Sequence, residues 1–238
     1  DYRMVCHVAD NVGVVRALGE ETAIIVGHDW GAPISWNSAL LRPDVFTALA
    51  ILSVPYNPRG PMKPSDGFRL LGGDEEFYIE YFQKLGRAEA EIESDLSKWL
   101  LGFYFTASGD APGRSDGKSM ATIAAGGRLS DRLDLPTDGF PAWMTEEDFG
   151  VYLSEFERTG LTGGLNRYRN AERDWHDLAA WHLTPIRQPS LFLGGEKDGP
   201  TRWVGAAIER FKLNLPNLHK SVIVPGSGHW VQQEAAVE

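Results

Sequence analysis

A carboxylate set between two glycines is the first group in this 238-residue chain with the means to act as a nucleophile. The stretch Gly27-His28-Asp29-Trp30-Gly31 follows a β-branched run, Thr22 to Val26, and precedes a helical pattern from Pro33 to Leu41. It has the form of a nucleophile elbow, with aspartate at the place more often held by serine. Both glycines are expected to serve a tight turn with close neighbours. The helix that follows directs positive dipole at Asp29 and favours its ionised form. Asp198 stands just past a strand ending in Gly194-Gly195, and His229 just past the last strand, in Gly226-Ser227-Gly228-His229-Trp230. Singly, Asp198 reads as a turn residue and His229 as a helix cap. Together they follow the order nucleophile, acid, histidine, each at the carboxyl end of a strand, where open parallel sheets place their ligands. Such a triad can form an ester on Asp29 and then hydrolyse it with water activated by His229.

Four strands and their crossovers must position these groups. Met4, Val8, Val12, Val15 and Leu18 recur at helical spacing, so the chain opens within an amphipathic helix. Thr22–Val26 and Thr47–Val54 read as buried strands joined by the helix after Asp29, a parallel crossover unit. Ser190–Gly195 and Ser221–Val224 resume the pattern, with a helix over Thr201–Phe211 between them. The intervening segment has helical spacing instead: Phe77, Tyr81 and Leu85 on one face, then Ala88, Ile92, Leu96 and Leu100. A capping box at Thr145 and Asp148 starts a helix that Gly160 stops, and a last helix carries Leu165, Tyr168, Ala171 and Trp175. Residues 106–140, rich in Gly, Ser, Asp and Pro, read as an excursion loop. The organisation is a parallel-sheet core over 1–55 and 182–238 with a helical cap inserted at 56–181.

Composition removes other functions. The chain is 42% hydrophobic and 24% charged, an ordinary globular balance. Lys and Arg number 23 against 33 Asp and Glu, a formal charge of −10, which argues against nucleic acid or an anionic membrane as partner. The longest apolar runs are too short to span a bilayer. The single cysteine, Cys6, rules out a disulfide scaffold and fits a reducing, cytoplasmic setting. His7, His176, His182 and His219 show no metal-ligand spacing, and no glycine-rich phosphate loop is present, so neither a metal nor a cofactor is expected. His28, inside the elbow, is expected to turn away and serve packing or hydrogen bonding.

Val26-Gly27-His28-Asp29-Trp30-Gly31-Ala32-Pro33 resembles the nucleophile region of epoxide hydrolases of the α/β-hydrolase fold. The similarity continues through Glu76–Gln83 and Gly164–Asn170 and ends with Asp198 and Gly228-His229-Trp230, so it covers nearly the whole chain. It implies an α/β-hydrolase fold with an inserted helical cap. It also implies conversion of a small-molecule epoxide and water to a vicinal diol without a cofactor, and two cap tyrosines that hold the epoxide oxygen. By motif position these are Tyr78 and Tyr168, with Tyr81 an alternative to Tyr78 in the same turn. The chemistry agrees: backside attack suits the Asp29 carboxylate, the leaving alkoxide needs donors, and the Trp30 backbone N–H is one oxyanion donor for the ester hydrolysis. Two rivals stay open, a haloalkane dehalogenase with the same nucleophile and a non-catalytic ligand-binding relative; a homodimer also stays open. The resemblance further implies strands beyond the four read here and a His-Gly-x-Pro oxyanion loop, a sequence this chain lacks. The N-terminal part of the core is therefore expected to be missing, and the helix begun after His229 is expected to run past Glu238.

Overall fold

A computed structural model describes residues 1–112 and 120–236. Residues 113–119 of the expected excursion and the last two residues of the helix expected after His229 lie outside the described residues. At the start, Met4, Val8, Val12 and Val15 form the buried side of α1 (Met4–Ala17). Leu18, expected on the same stripe, is 73% exposed, because the helix has ended there and Gly19 turns the chain at a φ of 80°. The crossover unit follows as β1 (Ala23–His28), α2 (Gly31–Leu41) and β2 (Phe46–Leu52), with Val26 beside Ala50 in parallel register. Pro33 falls in the first turn of α2, where its missing N–H leaves no helical bond unmade.

The next segment contains α3 (Pro64–Gly72), β3 (Glu76–Phe77), α4 (Tyr78–Gln83), α5 (Arg87–Ile92), α6 (Leu96–Ala107), β4 (Thr122–Ile123), α7 (Glu146–Thr159), α8 (Thr162–Arg169) and α9 (Ala171–Asp177). The chain then returns through β5 (Ser190–Gly195), α10 (Gly199–Trp203), α11 (Gly205–Glu209), α12 (Phe211–Asn214), β6 (Leu218–Val224) and α13 (Val231–Glu234). The larger sheet has the order β1-β2-β5-β6, parallel throughout. Leu49, Ile51 and Phe192 on one of its faces pack with Val12, Val15, Ala32, Ala39, Phe211 and Leu215. Each of the larger side chains among them, withdrawn from water, contributes about 1.5–3 kcal/mol.

Several local expectations are corrected. β1 is an edge strand rather than a fully buried one: Ile24 and Val26 are 69% and 62% exposed, while Ile25 turns to the core. Phe77 belongs to a strand, because its backbone pairs with Thr122, and Leu85 is 75% exposed beyond the end of α4. The helix expected over 201–211 is three short pieces, and the one expected through Trp175 divides into α8 and α9. The capping box at Thr145 and Asp148 is present, with Gly160 at a φ of 66° ending α7.

Chain contacts divide the molecule into two compact units, one of Asp1–Pro61 with Arg173 onward, the other of Met62–Glu172. In the first unit, the Arg59 Nε donates to the Trp175 carbonyl at 2.7 Å and its guanidinium lies 3.8 Å from the centre of the Trp175 ring. In the second, β3 and β4 pair antiparallel, and Arg132 meets Glu75 with its guanidinium at 2.6 Å. No helix of the described residues is long and apolar enough to cross a membrane.

Candidate active site

Asp29 occupies the junction of β1 and α2 with a φ of 52°, left-handed backbone that costs a non-glycine residue about 1–3 kcal/mol. Such a conformation persists only where the surroundings enforce it. Here the turn is so tight that a Cβ on Gly27 would lie 2.0 Å from the Gly31 carbonyl oxygen and 2.3 Å from the Ser35 hydroxyl. Gly27 is thus obligatory. Among the described residues a Cβ on Gly31 meets nothing within 4 Å, so the close approach expected at both motif glycines is found there only at the first.

Three segments bring the triad together. His229 Nε2 is 3.0 Å from the Asp29 carboxylate, and its Nδ1 is 2.8 Å from Asp198 Oδ1. Asp198, fully buried, is also the N-cap of α10: its second oxygen accepts the Thr201 N–H at 3.1 Å and the Thr201 hydroxyl at 2.6 Å. Its role as a cap and its place in the triad therefore coexist, one oxygen for each. Burial pushes the Asp29 pKa upward, but the His229 hydrogen bond and charge, with the Trp30 N–H on the carboxylate, outweigh it and leave the value below normal. For His229 burial works downward, and the hydrogen bonds to Asp198 and Asp29 overcome it, raising the imidazole to about 10. His229 is thus held toward its protonated form. His28 turns from the Asp29 carboxylate and donates through Nε2 to the His229 carbonyl at 2.7 Å. Burial, then the His229 charge, lowers its pKa.

Within the second unit, Tyr78 and Tyr168 stand edge to face with ring centres 5.9 Å apart, both against Phe82. Tyr78 opens α4 directly after β3, and its N–H is held by the Ala121 carbonyl at 2.8 Å. Tyr168 sits near the end of α8, where Gln83 Nε2 donates to its carbonyl at 3.2 Å and the neighbouring Arg169 binds Glu89 through both guanidinium nitrogens, at 2.7 and 2.9 Å. Tyr81 is directed elsewhere. Its hydroxyl donates to Glu91 at 2.6 Å and Arg87 covers its ring at 3.5 Å. Burial, then the Glu91 bond, raises its pKa.

Residue types and spacing did not single out Ser53, Thr201 or Glu234 as parts of this site. Thr201 left the one usable trace, since Asp-x-x-Thr at a helix start is a capping pattern. Among the described residues, no group of three or more His, Cys, Asp or Glu is placed to hold a metal ion.

A strained carboxylate facing a buried acid–histidine pair can attack carbon to form an ester, which water activated by the histidine can then hydrolyse. Residues 1–236 match the alpha/beta hydrolase fold family. Epoxide hydrolase B of Mycobacterium tuberculosis is 39% identical over 267 aligned positions, spanning all of this chain and 75% of the relative. Epoxide hydrolase A of the same organism is 39% identical over 227 positions, 95% of this chain and 69% of the relative. Among solved structures, an epoxide hydrolase from an endophytic Streptomyces superposes with a TM-score of 0.95 at 58% identity, covering 99% of this chain and 70% of that one. With the elbow, the triad and these likenesses in agreement, the chain belongs to the epoxide hydrolases of the α/β hydrolase fold.

Proposed function

We propose that the chain converts a small-molecule epoxide to a vicinal diol through an alkyl ester on Asp29. The Asp29 carboxylate attacks an epoxide carbon from behind, forming an O–C bond as the ring C–O bond breaks. Tyr78 and Tyr168 hold the departing oxygen and supply its proton. Water, deprotonated by His229, then adds to the carbonyl carbon of the Asp29 ester, with the Trp30 N–H donating to the developing oxyanion. Before that, His229 returns its proton to the phenolate left by ring opening; collapse then releases the diol, its oxygen taking the proton of the added hydroxyl, and restores the Asp29 carboxylate, while the proton taken from water restores the protonated imidazole. The observation that carries this reading is the strained Asp29 with its carboxylate 3.0 Å from a histidine that a buried acid orients. The edge-to-face phenol pair supports the tyrosine roles, and the engagement of Tyr81 with Glu91 favours Tyr78 as the first of them.

Single turnover in heavy-oxygen water tests the ester. Label should enter the Asp29 carboxylate and leave the first diol unlabelled. Label found only in diol means direct attack by water and ends the proposal. The acidic balance and single cysteine support action in a reducing cytoplasm on a neutral substrate, without a nucleic-acid partner. A homodimer is the assembly to test by light scattering.

A further inference from the structure

The backbone around His229 is gripped by side chains that take no part in the chemical steps. Glu234 Oε2 accepts the Gly228 N–H at 2.8 Å and Oε1 accepts the Trp230 N–H at 2.9 Å, so one carboxylate spans the amides on both sides of the histidine. The carbonyl between them, that of His229 itself, accepts the Ser53 hydroxyl at 2.8 Å and His28 Nε2 at 2.7 Å. Ser53 is in turn anchored: it is fully buried at a φ of 67°, its N–H donates to the Leu193 carbonyl, and its own carbonyl lies 2.7 Å from the Thr201 hydroxyl, whose one proton it shares with Asp198. The two peptide groups that flank Gly228 and His229, one before Gly228 and one after His229, are thereby tied to β1, to the end of β2 and to α13. The imidazole that hangs from them has little freedom to swing.

We propose that Glu234 is a positioning residue for the second chemical step, its carboxylate clamping the His229 loop so that Nε2 remains aimed at the Asp29 acyl carbon. The side-chain type matters. Only a carboxylate offers two acceptor oxygens to two converging N–H groups; glutamine satisfies one and turns its own donors on the other. Ring opening uses the Asp29 carboxylate and the phenols, and is indifferent to small errors in His229. Ester hydrolysis needs the base within hydrogen-bond reach of a water poised on the acyl carbon, where a displacement near 1 Å is costly, on the order of 100-fold.

The proposal rests on the covalent reading, and the experiment separates the two. Single-turnover rates are measured for the parent, Glu234→Gln, Glu234→Ala, Ser53→Ala and His229→Gln, with intact mass following alkylated enzyme. The Glu234 variants should open epoxide within about twofold of the parent and hydrolyse the ester at least tenfold more slowly, so alkyl-enzyme accumulates. Ser53→Ala, which loosens the carbonyl side of the same loop, should show the same imbalance and stands in should Glu234→Ala not fold. A merely structural glutamate lowers the yield of active enzyme and leaves the ratio of the two rates at the parental value; that result overturns the proposal. Alkyl-enzyme in His229→Gln with none in the Glu234 variants sinks the clamp and spares the covalent step. Its absence in His229→Gln sinks the covalent step, and the clamp is then judged by the downfield imidazole N–H proton resonance of His229. That signal should shift or broaden in Glu234→Gln, and an unchanged signal counts against the clamp.

Discussion

A histidine bonded to two carboxylates cannot serve as a base until one of those charges is gone. His229 is in that position, raised to about 10 by Asp198 and Asp29 against the opposing effect of burial. In the proposed mechanism, alkylation turns Asp29 into a neutral ester and removes its share of that support, so the imidazole gives up its proton more readily after the first step. The rate of ester hydrolysis should therefore rise with pH and level off at a midpoint well below 10, as single-turnover measurements across pH will show. His229→Gln should trap the ester, with hydrolysis slowed by about 10³-fold or more and ring opening largely retained. The same shift acts on stability. A histidine raised in the folded state stabilises fully below its unfolded value of 6.5, and that contribution disappears as pH climbs toward 10. Denaturant midpoints of the parent should fall over that window, and those of His229→Gln should fall less. For the phenols, Tyr78→Phe and Tyr168→Phe should each slow ring opening by about 10²-fold, and the pair together should nearly abolish it. A double variant opening epoxide at the parental rate would make both tyrosines packing residues.

At the scale of elements, the elbow depends on one glycine, and the two motif positions make a matched test. Gly27→Ala forces a methyl to 2.0 Å from the Gly31 carbonyl, while Gly31→Ala meets nothing within 4 Å. The first should cost more than about 3 kcal/mol in chemical unfolding and abolish turnover; the second should stay within about 1 kcal/mol. The strand–turn–helix–strand unit around Asp29 was legible because its signals are local: β-branched runs, flanking glycines, a proline in the first helical turn. Where a distant partner decides, spacing misleads. Phe77, Tyr81 and Leu85 satisfy a helical face, yet Phe77 pairs with Thr122 in a strand ladder. Tyr78 and Tyr81 share one helical turn, and the Glu91 and Arg87 contacts of Tyr81 distinguish them. Ile24 lies on a sheet face that the described residues leave open, as Leu191 does on the inner strand β5, and what covers a face is not encoded in a β-branched run. Ser53 reaches His229 across 176 positions of sequence, and Thr201 reaches Ser53 across 148, so neither leaves a periodic trace.

Across the whole molecule, the proposed chemistry divides as the chain does: nucleophile, acid and base lie in one compact unit, the two phenols in the other. Each unit should then fail separately. The second unit carries two buried ion pairs, Arg132 with Glu75 and Arg169 with Glu89, and the latter adjoins Tyr168. Removing one partner of such a pair strands a buried charge and costs about 3–5 kcal/mol, whereas replacing both by apolar groups of similar size is often close to neutral. Arg169→Met should therefore loosen Met62–Glu172 while leaving the triad unit protected, which hydrogen exchange resolves where a single melting temperature does not. Adding Glu89→Met should restore most of the protection. Glu89 is held below its ordinary pKa, first by the Arg169 hydrogen bond, so the contribution is present above 4.5 and lost as pH falls beneath it. The kinetic counterpart is the sharper check. In Arg169→Met, ring opening should slow by at least tenfold because the Tyr168 end of α8 has lost its anchor. Hydrolysis of an ester already formed on Asp29 should keep its parental rate, because His229, Asp198 and their loop belong to the other unit. Equal slowing of both steps would mean that the units are not separate in function, and the assignment of protonation to one and ester hydrolysis to the other would have to be withdrawn.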